Sequence, residues 1–114
     1  MPVTHAMGVA QSGMNAATRR LNVTANNVAN LNTDGFAAGT TVNQDVRDGG
    51  VISSVAPLQT EAPVILRDNE LVSASNTDLV RETVNRIEAV NAYKANAAVF
   101  KAADEVAQTL FETV

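Results

Sequence analysis

The sequence predicts a mainly α fold with two long antiparallel terminal helices, coiled-coil-like, and a small β-hairpin or extended segment between them. Apolar residues recur at heptad spacing over residues 3–31, and a second helical pattern covers residues 80–113. Between these two patterns the helical period is lost and turn residues break the chain. The 114 residues therefore divide into segments 1–35, 36–74 and 75–114 of a single domain.

The first helix carries two interleaved sets of positions that stay in phase over four heptads. One set consists of Met7, Met14, Leu21 and Val28, and the other of Val3, Ala10, Ala17, Thr24 and Leu31. The small residues of the second set allow close approach of another helix. We expect the helix to stop between Asn30 and Gly35, because asparagine tolerates the left-handed conformation and glycine adopts it without a side-chain penalty.

Asparagines are concentrated near the end of this helix, with six of them within residues 15–32. One interpretation is capping and turn chemistry. The other is that Asn26, Asn27 and Asn30 also form hydrogen bonds to a neighbouring helix. In that case they would fix its register, since a buried asparagine specifies alignment at some cost in stability.

The middle segment predicts one hairpin followed by an extended linker. Residues Thr40–Val46 and Val51–Val55 are rich in β-branched side chains, and residues 47–50 read Arg-Asp-Gly-Gly, a hairpin-loop signal. Residues 63–66 then predict a short extended piece, and residues 68–69 predict a turn. Two strands alone would not form an independent domain.

The second helix opens at a weak capping box of Ser75 and Asp78, with Asn76 and Thr77 as alternative caps. It carries two apolar faces, which favours neighbours on two sides. The alternative is that the other helix and the β segment of the same chain cover both faces. The first face consists of Val80, Val84, Ile87, Asn91, Ala95, Val99, Ala102, Val106, Leu110 and Thr113. The second consists of Val90, Tyr93, Ala97, Phe100, Ala107 and Phe111. Glu82 with Arg86, and Lys101 with Glu105, have the spacing of surface ion pairs.

The residues that carry chemistry are sparse. The net charge of −4 argues against binding to nucleic-acid phosphates, and the chain has no cysteine for a disulfide or thiolate site. His5 is the only histidine, so no histidine-based catalytic cluster is expected. Residues 30–35 resemble half of an EF-hand loop but lack its first aspartate and last glutamate. We expect no enzyme activity, cofactor, metal site, membrane insertion or cleaved signal peptide.

Two stretches at opposite ends of the chain together resemble one protein family. The first is Ser12-Gly13-Met14-Asn15-Ala16, then residues 21–30, Leu-Asn-Val-Thr-Ala-Asn-Asn-Val-Ala-Asn, then Asn32-Thr33-Asp34-Gly35-Phe36. The second begins with residues 76–82, Asn-Thr-Asp-Leu-Val-Arg-Glu, and continues through residues 87–89, 92–96 and 101–105. These stretches look like the terminal motifs of bacterial flagellar rod and hook proteins. The short middle segment resembles the proximal rod class, of the FlgB and FlgC type and more FlgC-like.

The resemblance implies a structural subunit of the flagellar basal-body rod, in the periplasm. Its partners would be other axial proteins and copies of itself, in a hollow helical tube that transmits torque and surrounds the export channel. The flagellar type III apparatus would export it. The predicted subunit interface consists of Met7, Met14, Leu21, Asn26, Asn27, Val28, Asn30 and Leu31, with Val84, Ile87, Val99, Val106 and Leu110 facing them. The alternatives are a helical adaptor or export chaperone, and a peptidoglycan hydrolase, for which the chain has no catalytic cleft.

Overall fold

The computed structural model describes residues 2–113 of the chain. In chain order it contains helix α1 (Pro2–Ala29), strands β1 (Gly39–Asp45), β2 (Val51–Pro57), β3 (Val64–Arg67) and β4 (Glu70–Ser73), and helix α2 (Leu79–Thr113). The molecule is elongated, with extents of 76 × 24 × 14 Å. The bounds of α1 and α2 are close to the helical patterns predicted over residues 3–31 and 80–113.

The two helices pack against each other in antiparallel order through small side chains. Arg20 donates hydrogen bonds to Asn85 and Glu88, whereas Gly13, seven residues earlier, lies against Asn96. A Cβ atom added to Gly13 would sit 2.6 Å from Nδ2 of Asn96, so the helices approach closely there. Since α2 continues for 17 residues after Asn96 and α1 begins only 11 residues before Gly13, α2 extends past α1 at this end.

The β1–β2 hairpin lies along α1 and is fastened to it near both ends. The strands pair antiparallel from Gly39 with Pro57 to Asp45 with Val51. Near the loop, the backbone N–H of Val51 donates to the Ser12 hydroxyl at 3.1 Å. This hairpin was predicted from its β-branched runs and its Gly-Gly loop.

The β3–β4 hairpin is attached to the turn that follows α1. Its two-residue loop holds Asp68 and Asn69 at φ values of 52° and 65°, the pattern of a type I′ turn. The backbone N–H of Gly35 donates to the carbonyl of Ser73 at 2.7 Å, and Asp34 pairs with Arg67 at 2.7 Å. Within residues 2–113, neither β3 nor β4 packs against a helix.

The predicted fold class is therefore wrong in its strand content. The chain folds as helix, strands and helix in the expected order, but four strands form two separate antiparallel sheets instead of one small hairpin with an extended piece. Strand β3 (Val64–Arg67) overlaps the extended piece that was expected at residues 63–66. It pairs with Glu70–Ser73 because Asp68 and Asn69 tolerate the positive φ values of a tight turn.

The apolar core is small. The buried apolar residues of the described part are all alanines, namely Ala10, Ala16, Ala17, Ala38 and Ala89. The largest fully buried side chains are Glu82 and Asn27. Glu82 was expected in a surface pair with Arg86, and that expectation is wrong, since Glu82 is only 2% exposed and binds α1. The start of α2 is capped by Asp78, whose Oδ1 accepts from the N–H of Val80 at 3.0 Å.

Candidate subunit interface

The asparagine-rich end of α1 joins three parts of the chain through one side chain. Asn27 is 1% exposed. Its Nδ2 donates to the carbonyl of Gly39 at 2.9 Å, and the N–H of Gly39 donates back to its Oδ1 at 3.0 Å. The same Nδ2 also donates to Oε1 of Glu82 at 2.9 Å. Asn27 therefore links α1, the first residue of β1 and the first turns of α2.

This cluster places a carboxylate inside the molecule. Oε2 of Glu82 is buried and accepts no hydrogen bond from the described residues. The Thr77 hydroxyl donates to the carbonyl of Asn27 at 3.1 Å, which adds a second link between α1 and the approach to α2. Because an unpaired buried charge is costly, the contact between Asn27 and Glu82 is energetically important.

A second buried asparagine, Asn76, holds the middle segment from the other side. Its Oδ1 accepts from the N–H of Ala38 at 2.6 Å, and its Nδ2 donates to the carbonyl of Thr60 at 2.8 Å. Its own backbone N–H donates to the carbonyl of Phe36 at 3.3 Å. Asn27 and Asn76 thus satisfy the backbone of two consecutive residues, Ala38 and Gly39, where the chain leaves α1 and enters β1.

The other two asparagines predicted at the interface lie at the surface. Asn30 donates from Nδ2 to the carbonyl of Asn26 at 2.9 Å and to its Oδ1 at 3.2 Å, and accepts from the Thr33 hydroxyl at 3.0 Å. These bonds close the end of α1, which is the capping interpretation. Asn27 differs from both, since its side chain bonds to Gly39 of β1 and Glu82 of α2 and not within the end of α1.

The predicted apolar interface residues are largely uncovered. On α2, Val84, Ile87, Val99, Val106 and Leu110 are between 47% and 51% exposed. On α1, Leu21 and Val28 are 38% and 41% exposed, and Met7, Met14 and Leu31 are half-buried. Exposed apolar side chains of this size are the residues that an association surface would cover.

The structure does not bring these two sets together within one chain. Leu21 lines a shallow groove of about 340 Å³ between the helices, together with Ala89, Val90 and Tyr93. None of the five α2 interface residues lines that groove. The intramolecular seam instead uses the other α1 set, in which Ala10, Ala17 and Thr24 are buried. The α2 residues at seven-residue spacing that lie against α1 are Glu82, Ala89 and Asn96. That heptad of small and polar residues was present in the sequence and was overlooked.

The described residues contain few groups for chemistry. Within residues 2–113, no group of three or more His, Cys, Asp or Glu side chains is placed to hold a metal ion. Neither of the two described helices is long and apolar enough to cross a membrane.

Comparison with known proteins matches both ends of the chain. Residues 7–36 match a family model described as flagella basal body rod protein. Residues 69–113 match one described as flagellar basal body rod FlgEFG protein C-terminal. A search of curated proteins found no match. Because the second description names FlgEFG, the expected FlgC-like subclass is not confirmed.

The two matched regions contain α1 from Met7 onward with its closing turn, and β4 with all of α2. They together cover about two thirds of the chain, and they are the regions whose motifs were recognised in the sequence. The unmatched internal part, residues 37–68, contains the β1–β2 hairpin and β3, and the first turn of α1 is also unmatched. The chain belongs to the family of flagellar rod and hook proteins, the axial proteins of the flagellum.

Proposed function

We propose that this chain is a structural subunit of the flagellar basal-body rod, which assembles with copies of itself and with other axial proteins into a hollow helical tube. In this proposal the tube transmits torque and surrounds the export channel. The type III apparatus exports the chain to the periplasmic rod. The observation that carries the proposal is the uncovered apolar face of α2, whose five predicted interface residues are each about half exposed.

The surface of the free chain supports association. A compact monomer of this mass exposes about 5,900 Å² and has a radius of gyration of about 13 Å. This chain exposes 7872 Å² and has a radius of gyration of 19.5 Å. The excess surface is too large for a self-sufficient globular domain and is available for burial against neighbours.

The α2 face is arranged for a long, narrow contact. Val84, Val99 and Val106 lie on one side of a helix of 35 residues, and the other side of that helix packs on α1. Covering such a face removes apolar surface from water at roughly 25 cal/mol per Å². In this proposal, the terminal helices of neighbouring axial subunits cover this face.

The test is incorporation of Val106→Asp and Leu21→Asp variants into basal bodies, in a strain that lacks its own copy of the chain. Both positions are exposed in the free chain, so the variants should keep the helical content of the parent by circular dichroism. Both should be absent from purified basal bodies, because a charge in a packed seam is costly. The control is Val42→Asp, the same substitution at an exposed position of β1.

Mass spectrometry of the basal bodies reads out the result. Normal incorporation of folded Val106→Asp and Leu21→Asp variants would contradict the assignment of these faces as interfaces. Absence of the parent chain from basal bodies, together with its recovery in the cytoplasm bound to axial proteins, would favour the helical adaptor or export chaperone instead.

A further inference from the structure

The β3–β4 hairpin projects from one end of the molecule with an uncovered apolar face. In the antiparallel pairing, Leu66 lies opposite Leu71, and Val64 shares their face. These three side chains are 67%, 76% and 64% exposed, respectively. Beyond them, the tip carries the acidic side chains of Asp68 and Glu70. Neither forms an ion pair within the described residues.

The hairpin reaches beyond the helices. A helix of the length of α2 spans about 52 Å, whereas the long axis of the molecule is 76 Å. At the far end α2 extends past α1, so the additional length comes from the end that carries the turn after α1 and the β3–β4 hairpin. The hairpin is therefore free to enter another molecule.

A groove of about 890 Å³ on the same chain has one polar wall and one apolar wall, which match the acidic tip and the apolar face of the hairpin. It runs between α1 and the end of β2, and its lining includes Asn15, Arg19, Asn22, Asn26, Val55 and Pro57. No acidic residue lines it. Its apolar wall includes Val55, which is 53% exposed.

The polar wall of this groove has unused hydrogen-bond donors. Within the described residues, the guanidinium of Arg19 forms neither a hydrogen bond nor an ion pair, unlike Arg20, which binds Asn85 and Glu88. The side-chain N–H groups of Asn15, Asn22 and Asn26 likewise donate to no described residue. Such a surface fits an occupant rich in acceptors and negative charge.

We propose that the β3–β4 hairpin of one copy of this chain seats in the groove between α1 and β2 of the next copy. Asp68 and Glu70 face Arg19 and the asparagine amides, and the apolar face of the hairpin covers the β2 wall. The proposal rests on the proposed function and names the contact between copies. Because hairpin and groove are different surfaces, the contact is head-to-tail, and each copy offers a free hairpin or groove to a further copy.

Disulfide trapping tests the contact directly, since the chain has no cysteine of its own. A double variant carries Asn22→Cys in the groove and Glu70→Cys on the hairpin, and is oxidised mildly in isolated basal bodies. It should give disulfide-linked multimers of this chain on a non-reducing gel. The matched control joins Glu70→Cys with Asn91→Cys, an exposed asparagine on α2, and should give none.

Reversing the charges of Arg19 and Glu70 provides a second test of the contact. Arg19→Glu should lower incorporation into basal bodies at least several-fold, and Glu70→Arg in the same chain should restore most of it. Arg86→Glu removes a free arginine of α2 and should leave incorporation unchanged. Rescue by the second substitution would not occur if Arg19→Glu acted only through folding.

Three outcomes would overturn the proposal. They are normal incorporation of the double cysteine variant without multimers, cross-linking equal to that of the Asn91→Cys control, and cross-linking of Glu70→Cys to a different axial protein. Each of these leaves the proposed function intact, because the parent chain is still found in the basal body. Failure of the parent chain to incorporate would instead contradict the proposed function itself.

Discussion

Replacing Asn27 by alanine should destabilise the free chain more than any other single asparagine change in α1. The variant removes three hydrogen bonds, two to the backbone of Gly39 and one to Glu82. An unpaired buried polar group costs about 1–3 kcal/mol, and a charged group costs more. Gly39 is only half-buried, so its N–H and carbonyl fall at the low end of this range.

The expected magnitude follows from these partners. Two groups of Gly39 at about 1 kcal/mol each and the Glu82 carboxylate at about 2 kcal/mol give a loss of about 4 kcal/mol. The higher helix propensity of alanine offsets about 0.5 kcal/mol of it. With a slope of about 1.5 kcal/mol per molar urea, the unfolding midpoint should fall by about 2 M.

Urea unfolding followed by circular dichroism measures this shift. The control is Asn26→Ala, the adjacent asparagine, whose side chain is exposed and, among the described residues, hydrogen-bonds only with Asn30. That change should alter the free energy of unfolding by less than about 0.5 kcal/mol. The double variant Asn27→Ala/Glu82→Met should recover part of the loss, because no charge is then left buried. Equal effects of the two single changes would refute the role assigned to Asn27.

Glycines and the second buried asparagine give further tests. Gly8 has open space around its Cα, so Gly8→Ala should raise the free energy of unfolding by about 0.5–1 kcal/mol through helix propensity, measured by urea unfolding. Gly13→Ala should stabilise less, because its Cβ would displace Asn96, and adding Asn96→Ala should recover the gain. Asn76→Ala should accelerate hydrogen exchange at the N–H of Ala38 by at least tenfold, read by NMR, whereas unchanged exchange would contradict the bond at 2.6 Å.

The helices and the first hairpin were predictable because their signals are local. Heptad spacing marked α1, and the β-branched runs around Gly49 and Gly50 marked β1 and β2. The second hairpin was missed because strands of four residues carry little signal of their own and an isolated hairpin is marginal. Its attachment through Gly35 and Ser73 is a long-range contact that no local pattern encodes.

The interior was harder to predict than the exterior. The larger apolar side chains predicted the contact between the helices. The structure instead buries the small side chains of α1 and leaves larger ones, such as Val106, exposed. Glu82 resembled a surface residue because its helical spacing to Arg86 suits an ion pair. Its burial depends on Asn27, which is 55 residues away in the chain. Sequence spacing within one helix cannot reveal such a partner.

The thinness of the molecule bears on its response to temperature. Its smallest extent is 14 Å, less than a fifth of its 76 Å length, so a large share of the chain lies at the surface. Unfolding such a slab exposes little new apolar surface, so its heat-capacity change should lie below about 12–15 cal/mol/K per residue. A small heat-capacity change flattens the stability curve. The free chain should therefore melt gradually, and its balance between folded and unfolded forms should change little between cool and warm growth conditions.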